Sequence, residues 1–285
     1  VFGLPWGIVL PTLVGSLIVG ALCGAVGTFV VRLKLSSLGF AMAHAAFAGA
    51  AFGGMIGGID PTWTALAFSL SAAGALGPLA DAARMHIDTV LGAVFPITMA
   101  LGLIFVHRTA SAGIGSGALS LLWGSVLGLD WPDVAVLGAA AAAFLVMVVG
   151  WGRGFVALLL DRKLALSSGL PAGAYFYAIL FASAIIVAVS LRIAGGLLIY
   201  SLTVLPASAA LQWVYDARKA FFVAPLLGMV GAVGGLLLSL WADLPIGGSI
   251  ALCAAGLFLA SVLLSPKRRR ARLLRDGPAG RLDSD

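Results

Sequence analysis

The chain reads as an all-α, polytopic membrane protein of about nine transmembrane helices, with its N-terminus outside and its C-terminus inside. Three observations predict this. Of 285 residues, 61% are hydrophobic and only 10% charged, with a mean hydropathy of +1.12, a composition that soluble domains of this size do not have. Nine uncharged runs of about 19 residues or more, each long enough to cross a bilayer core as a helix, are read as spans. The charges between those runs sort by side.

In chain order the runs are 1–31, 35–59, 61–80, 89–107, 134–152, 164–191, 193–215, 220–242 and 244–266. The first lacks a basic n-region and is expected to be a span rather than a cleaved signal. The second is rich in small residues, with Gly39, Gly49, Gly53, Gly54, Gly57 and Gly58, and the seventh carries Gly195, Gly196 and an internal Pro206. In lipid, small residues let helix backbones approach, and Gly/Pro breaks are tolerated where they pack in protein or line a cavity. Runs two and seven are therefore the candidates for a translocation path, against the alternative of ordinary small-residue packing faces. Cys23 and Cys253 both fall in apolar runs, so no disulfide is expected.

Two loops are long. Residues 108–132 begin Gly/Ser-rich and then become apolar around Trp123 and Trp131, which predicts an interfacial helix on the outer face over 119–129. The other, on the inner face, contains the polar island Asp161–Pro171, DRKLALSSGLP. Asp161 suits an N-cap, Arg162–Leu166 has good helix propensity, and Gly169–Pro171 stops the helix. Two turns of helix are not stable alone in water, so the island is expected to dock; the plain alternative is a capped loop.

With the N-terminus outside, the inner side holds Arg32, Lys34, Arg84, Arg153, Arg162, Lys163, Arg218, Lys219 and the basic residues of the tail from Lys267 to Arg281. Of the 17 basic residues only Arg108 and Arg192 fall outside, which selects this orientation by the positive-inside rule. The pI near 9.8 therefore reports topology and not nucleic-acid binding. Two regions follow: a transmembrane domain, 1–266, and a basic cytoplasmic tail, 267–285. The tail reads first as a solvated topology anchor and second as a contact for anionic lipid.

Every acidic residue is Asp. Asp60, Asp81, Asp88, Asp130, Asp133, Asp161, Asp216 and Asp243 sit at run ends or in loops, and the remainder are in the tail. Intramembrane carboxylates are the usual parts of proton relays and ion-coupled carriers, so this pattern argues against a proton- or sodium-driven carrier. No Gly-rich loop followed by Lys and Ser/Thr is present to cradle a nucleotide.

Several segments, in order, resemble the permease of the bacterial ABC importers for zinc, manganese and iron, the ABC-3 family. LGFAMAHAAFAGAAFG in run two is similar to the family's Gly-Asp, three residues, His-Ala pattern. LLWGSVLGLDWPDV resembles its Leu-Phe-Gly-x-x-Leu stretch, and the island resembles its cytoplasmic Ala-x-x-x-Gly loop. RIAGGLLIYSLTVLPASAAL and ADLPIGGSIAL resemble its Val-Gly-x-Leu-Leu…Pro-Ala span and closing Asp-x-Pro-x-Gly. Together they cover about Leu35 to Leu264.

The resemblance implies a multi-pass protein of the inner (plasma) membrane that hydrolyses nothing itself. It implies a permease dimer, a cytoplasmic ATPase that supplies ATP hydrolysis, an extracytoplasmic metal-binding protein, and a transported divalent metal rather than a resident cofactor. It makes the island a coupling helix, with Leu164, Ala165 and Leu166 in an ATPase groove, Arg162 and Lys163 at its rim, and Asp161 and Gly169 bounding it. It puts His44 on the path, where an Asp four residues earlier completes the family's pair; i, i+4 spacing sets both on one helix face. Here that position is Phe40. The path side of run seven would carry Gly195, Gly196, Ser201 and Pro206.

Read from the residues alone, His44 is either a neutral imidazole ligand suited to these metals or a hydrogen-bonded structural histidine. With Phe40 beside it, either the metal is held fleetingly or the substrate is not a bare ion. Met42, Met99, Cys23, Ser201 and Thr203 read first as packing. His86 and His107 read as solvated, and Asp243, Pro245 and Gly247 read as an outer turn.

Overall fold

The computed structural model describes residues 6–111, 129–160, 166 and 169–267, and among these it is all helical. Nine long helices follow one another: α1 (Trp6–Arg32), α2 (Leu38–Ile56), α3 (Pro61–Ala83), α4 (Ile87–Ser111), α5 (Trp131–Leu160), α6 (Ala172–Ala194), α7 (Gly196–Trp213), α8 (Ala217–Ala242) and α9 (Ile246–Leu263). Each falls on one of the nine uncharged runs. Over their described stretches, eight are long and apolar enough to cross a membrane; the other, α7, has 18 residues.

Local chemistry sets the ends. Asp60 accepts from Thr62 N at 2.7 Å ahead of Pro61, which opens α3. Asp216 accepts from Arg218 N at 2.9 Å and caps α8. Asp243 ends α8 in the left-handed region (φ 53°) and Pro245 opens α9, so the predicted Asp-Leu-Pro turn forms. The sixth run begins at 164, but α6 begins only at Ala172, because Gly169 (φ 73°) and Pro171 interrupt the chain first. α5 exceeds its run at both ends. At 30 residues it is about 45 Å long, more than a bilayer core of about 30 Å requires. The expected outer interfacial helix lies outside the described residues.

Glycine sets the closest packing. α1 lies against α8 where Gly20 meets Gly228, and a Cβ on either would strike the other's carbonyl; Gly24 is similarly closed by Ala224. α2 is enclosed by α3, α4, α6 and α7, and its buried face is largely Ala and Gly. By contrast Phe222, Leu226, Val230 and Leu237 of α8 form an exposed apolar stripe, as expected of a lipid-facing surface. Cys23 and Cys253 are free thiols.

One face of the bundle is tied together by polar contacts. Arg32, ending α1, donates through Nη2 to Tyr215 O at 2.8 Å. Lys267, beyond α9, donates through Nζ to Leu211 O and Val214 O and sits 4.0 Å over the Tyr215 ring; Ser265 Oγ donates to Gln212 O at 3.1 Å. The open carbonyls at the C-terminus of α7 and just beyond it are thus met by α1 and the start of the tail. Ser37 N donates to Asp88 Oδ1 at 3.3 Å, joining the starts of α2 and α4. The C-terminal ends of α1, α7 and α9 therefore share one face.

Candidate translocation site

The second turn of α2 places His44 among small neighbours: Ala41, Ala43, Ala45 and Ala48 are all buried, as is His44 itself at 1% exposure. Gly39, one residue before Phe40, faces Tyr200 and Thr203 of α7, which a Cβ at this position would meet in ordinary van der Waals contact. This is where the two glycine-rich helices singled out from the sequence meet.

His44 Nδ1 lies 2.8 Å from Phe40 O. A carbonyl oxygen only accepts, so Nδ1 carries the proton and the Nε2 lone pair is available. Metal-binding histidines use this arrangement, with a second-shell carbonyl fixing the tautomer and the ring orientation.

Aromatic rings surround the imidazole. Phe40 stands edge-on at 4.5 Å between centroids, and Phe95 of α4 at 4.6 Å and 82°. Phe40 also contacts Phe95 at 4.4 Å and Tyr200 at 5.6 Å. Phe40 of α2 and Phe95 of α4 thus touch the imidazole, and Tyr200 of α7 joins the cluster through Phe40. Pro96, next to Phe95, lacks an N–H, and Thr98 Oγ1 donates to the Val94 and Phe95 carbonyls at 2.9 and 3.0 Å. Tyr200 arrives by another irregularity. Gly195 (φ 72°, ψ 151°) separates α6 from α7 by a single residue, a conformation open essentially to glycine alone, and Tyr200 lies in the turn that follows.

Among the described residues, no group of three or more His, Cys, Asp or Glu stands together that could hold a metal ion. A single imidazole with aromatic neighbours supplies one neutral nitrogen and no charge. That suits brief contact with a passing ion better than storage.

Of the other path candidates, Gly195 and Pro206 are buried and Ser201 is half-buried; Gly196 opens α7. Cys23 and Thr203 are buried in the bundle and Thr203 Oγ1 donates to Ile199 O at 2.8 Å within α7, so both serve the packing of the bundle. Met42 is fully buried and Met99 packs against Phe47 and Val106. His86 and His107 are exposed and stand apart from His44. Of the island, Leu166 and Gly169 are exposed, and Gly169 N donates to Leu166 O at 3.1 Å; Asp161, Arg162, Lys163, Leu164 and Ala165 lie outside the described residues. Sequence reasoning missed Phe95 and Tyr200. The only signals for them were a proline following Phe95 and a lone tyrosine in a small-residue span.

The sequence model of the ABC 3 transport family matches residues 6–265. The manganese transport system membrane protein MntC of Halalkalibacterium halodurans is 25% identical over 259 residues, covering 90% of this chain and 87% of its own. The high-affinity zinc uptake system membrane protein ZnuB of Haemophilus influenzae is 25% identical over 263 residues, covering 92% and 98%. Among solved structures, PsaBC from Streptococcus pneumoniae in complex with Fab superposes with a TM-score of 0.84 at 26% identity, covering 94% of this chain and 95% of that one.

Proposed function

The chain belongs to the ABC 3 transport family, and on that footing we propose that it is the permease subunit of an ATP-binding-cassette importer. It carries a divalent transition metal (zinc, manganese or iron) across the inner membrane into the cytoplasm. ATP hydrolysis occurs in a separate ATPase subunit, and the metal is substrate, not a resident cofactor.

The observation that carries the metal reading is the fixed tautomer of His44. Its Nδ1 proton is committed to Phe40 O, so a neutral imidazole nitrogen is presented where α2, α4 and α7 converge. Phe40 takes the position of a carboxylate, so an ion is never neutralised at this point and its residence is short. Selection then falls to an extracytoplasmic metal-binding protein that delivers the ion. The Phe40 and Phe95 rings close over His44, with Tyr200 packed against Phe40, and passage requires them to part.

The orientation follows from charge. The face shared by the ends of α1, α7 and α9 also carries Arg32, Lys34, Arg84, Arg153, Arg218, Lys219 and Lys267, and the positive-inside rule assigns it to the cytoplasm. The island between α5 and α6 then emerges on that side as the coupling helix that receives the ATPase. Two permease chains form the channel.

Phe40 also favours a second reading, in which the cargo is a metal chelate whose ligands already satisfy the ion. Competitive uptake decides between them. With the assembled transporter in vesicles, free zinc or manganese is expected to be taken up in preference to chelated metal. Preferential uptake of the chelate would replace the first reading by the second.

A further inference from the structure

A groove of about 320 Å³ opens between α1, α5 and α8, at the lower end of the range for small-ligand sites. It lies away from His44, on the face of Arg32 and Lys267. α5 and α8 barely touch, so the space between them is floored by α1. The floor is a packed set of rings: Phe29 meets Phe155 at 5.5 Å and Phe221 at 5.7 Å between centroids. The walls, Val149 and Phe222, are exposed over more than two thirds of their surface. Gly152 opens into the groove, with nothing within 4 Å of where its Cβ would stand.

Two exposed arginines, Arg153 from α5 and Arg218 from the first turn of α8, line the same groove. Neither guanidinium has a carboxylate partner among the described residues. Two cations lining one apolar slot, with the neighbouring Asp216 carboxylate engaged in capping the backbone N–H of Arg218, call for an occupant that is anionic at one end and hydrocarbon at the other. A basic recess between helices on the cytoplasmic side meets anionic headgroups, and an apolar groove open on one side receives an acyl chain.

We propose that this groove is a binding site for one anionic phospholipid of the inner leaflet. The phosphate sits between Arg153 and Arg218, and an acyl chain lies over Phe29, Phe155 and Phe221. The site rests on the cytoplasmic assignment of this face but not on His44 or on the identity of the metal. A lipid there wedges α5 against α1 and α8, at the helix that leads into the ATPase-facing island.

The test is native mass spectrometry of the full-length chain in mild detergent, with phosphatidylglycerol, cardiolipin or phosphatidylethanolamine added. The two anionic lipids are expected to be retained over phosphatidylethanolamine. Arg153→Gln and Arg218→Gln should each lower anionic-lipid affinity about fivefold, and together about thirtyfold. Arg84→Gln, an exposed arginine on the same face, should change nothing. Gly152→Phe, which fills the groove and keeps both charges, should also reduce retention, while the two Arg→Lys changes should largely preserve it. Equal retention of phosphatidylethanolamine, or anionic-lipid retention unmoved by both the double change and Gly152→Phe, would overturn the proposal. So would a disulfide formed between two copies through Val149→Cys in native membranes, since a second protein would then fill the groove.

Discussion

Phe40→Asp returns a carboxylate to the helix face of His44, and the structure sets its expected cost and gain. The Phe40 ring contacts His44, Phe95 and Tyr200 at 4.5, 4.4 and 5.6 Å. Each such ring pair is worth about 0.5–1.5 kcal/mol beyond burial. A carboxylate within the membrane adds at most about 2.5–3.5 kcal/mol, the value for a helix centre. The metal-free variant should therefore be less stable than the parent by about 2–8 kcal/mol. Bound metal reverses part of this. His44 Nε2 and the new carboxylate lie on one face four residues apart, within reach of a shared ion. At metal a hundredfold above Kd, the gain is about 2.7 kcal/mol, or about 5–10 °C in thermal midpoint. Thermal unfolding of the purified chain, with and without zinc or manganese, measures both effects, and metal analysis of the purified protein provides an independent readout. Phe40→Asn, equal in size and uncharged, should show the destabilisation without the metal-dependent recovery. Equal metal stabilisation in the parent, or none in Phe40→Asp, would refute the assignment of this face to the metal path.

Other consequences test different parts of the account. His44→Ala should reduce metal uptake several-fold while leaving expression and dimerisation intact, measured in vesicles and by size-exclusion chromatography. Gly195→Ala forces a side chain into a glycine-only conformation, costs about 1–3 kcal/mol and displaces Tyr200; lowered thermal stability and uptake are expected together. Leu164→Asp in the island should abolish transport and ATPase association without unfolding the bundle, read by co-purification. Lys267 titrates below its ordinary 10.5, through burial and then the nearby Arg32. Over the window from that lowered value to about 10.5 the unfolded chain holds a proton the folded chain has released. Stability should therefore rise with pH across that window, and Lys267→Gln should flatten the rise in thermal melts.

Much of the fold was legible because lipid imposes one rule: a span must be a long uncharged helix. The breaks were legible where a residue type admits one local geometry, as at Asp60-Pro61, Asp216 and Asp243. The start of α6 was displaced because Leu164 to Leu170 is uncharged and thus counted as span, while Gly169 and Pro171 break the helix. The length of α5 was hidden for the opposite reason: Arg153 interrupts the apolar run without interrupting the helix. At the site, His44 stood out as an ionisable group in an apolar span, and its bond to Phe40 O follows from i, i+4 spacing. Phe95 and Tyr200 could not be read, since their meeting depends on how α4 and α7 pack on α2. The arginines of the α5–α8 groove were visible only as topology charges; their convergence is a tertiary fact.

The central claim is that this chain conducts a transition metal under the power of a separate ATPase. Its most direct test is uptake of radiolabelled zinc or manganese into vesicles containing the permease with its ATPase and binding protein. The account predicts accumulation that requires ATP and all three proteins, and that falls with His44→Ala. Accumulation that persists without ATP, or complete assemblies that hydrolyse ATP while moving neither free nor chelated metal, would contradict it.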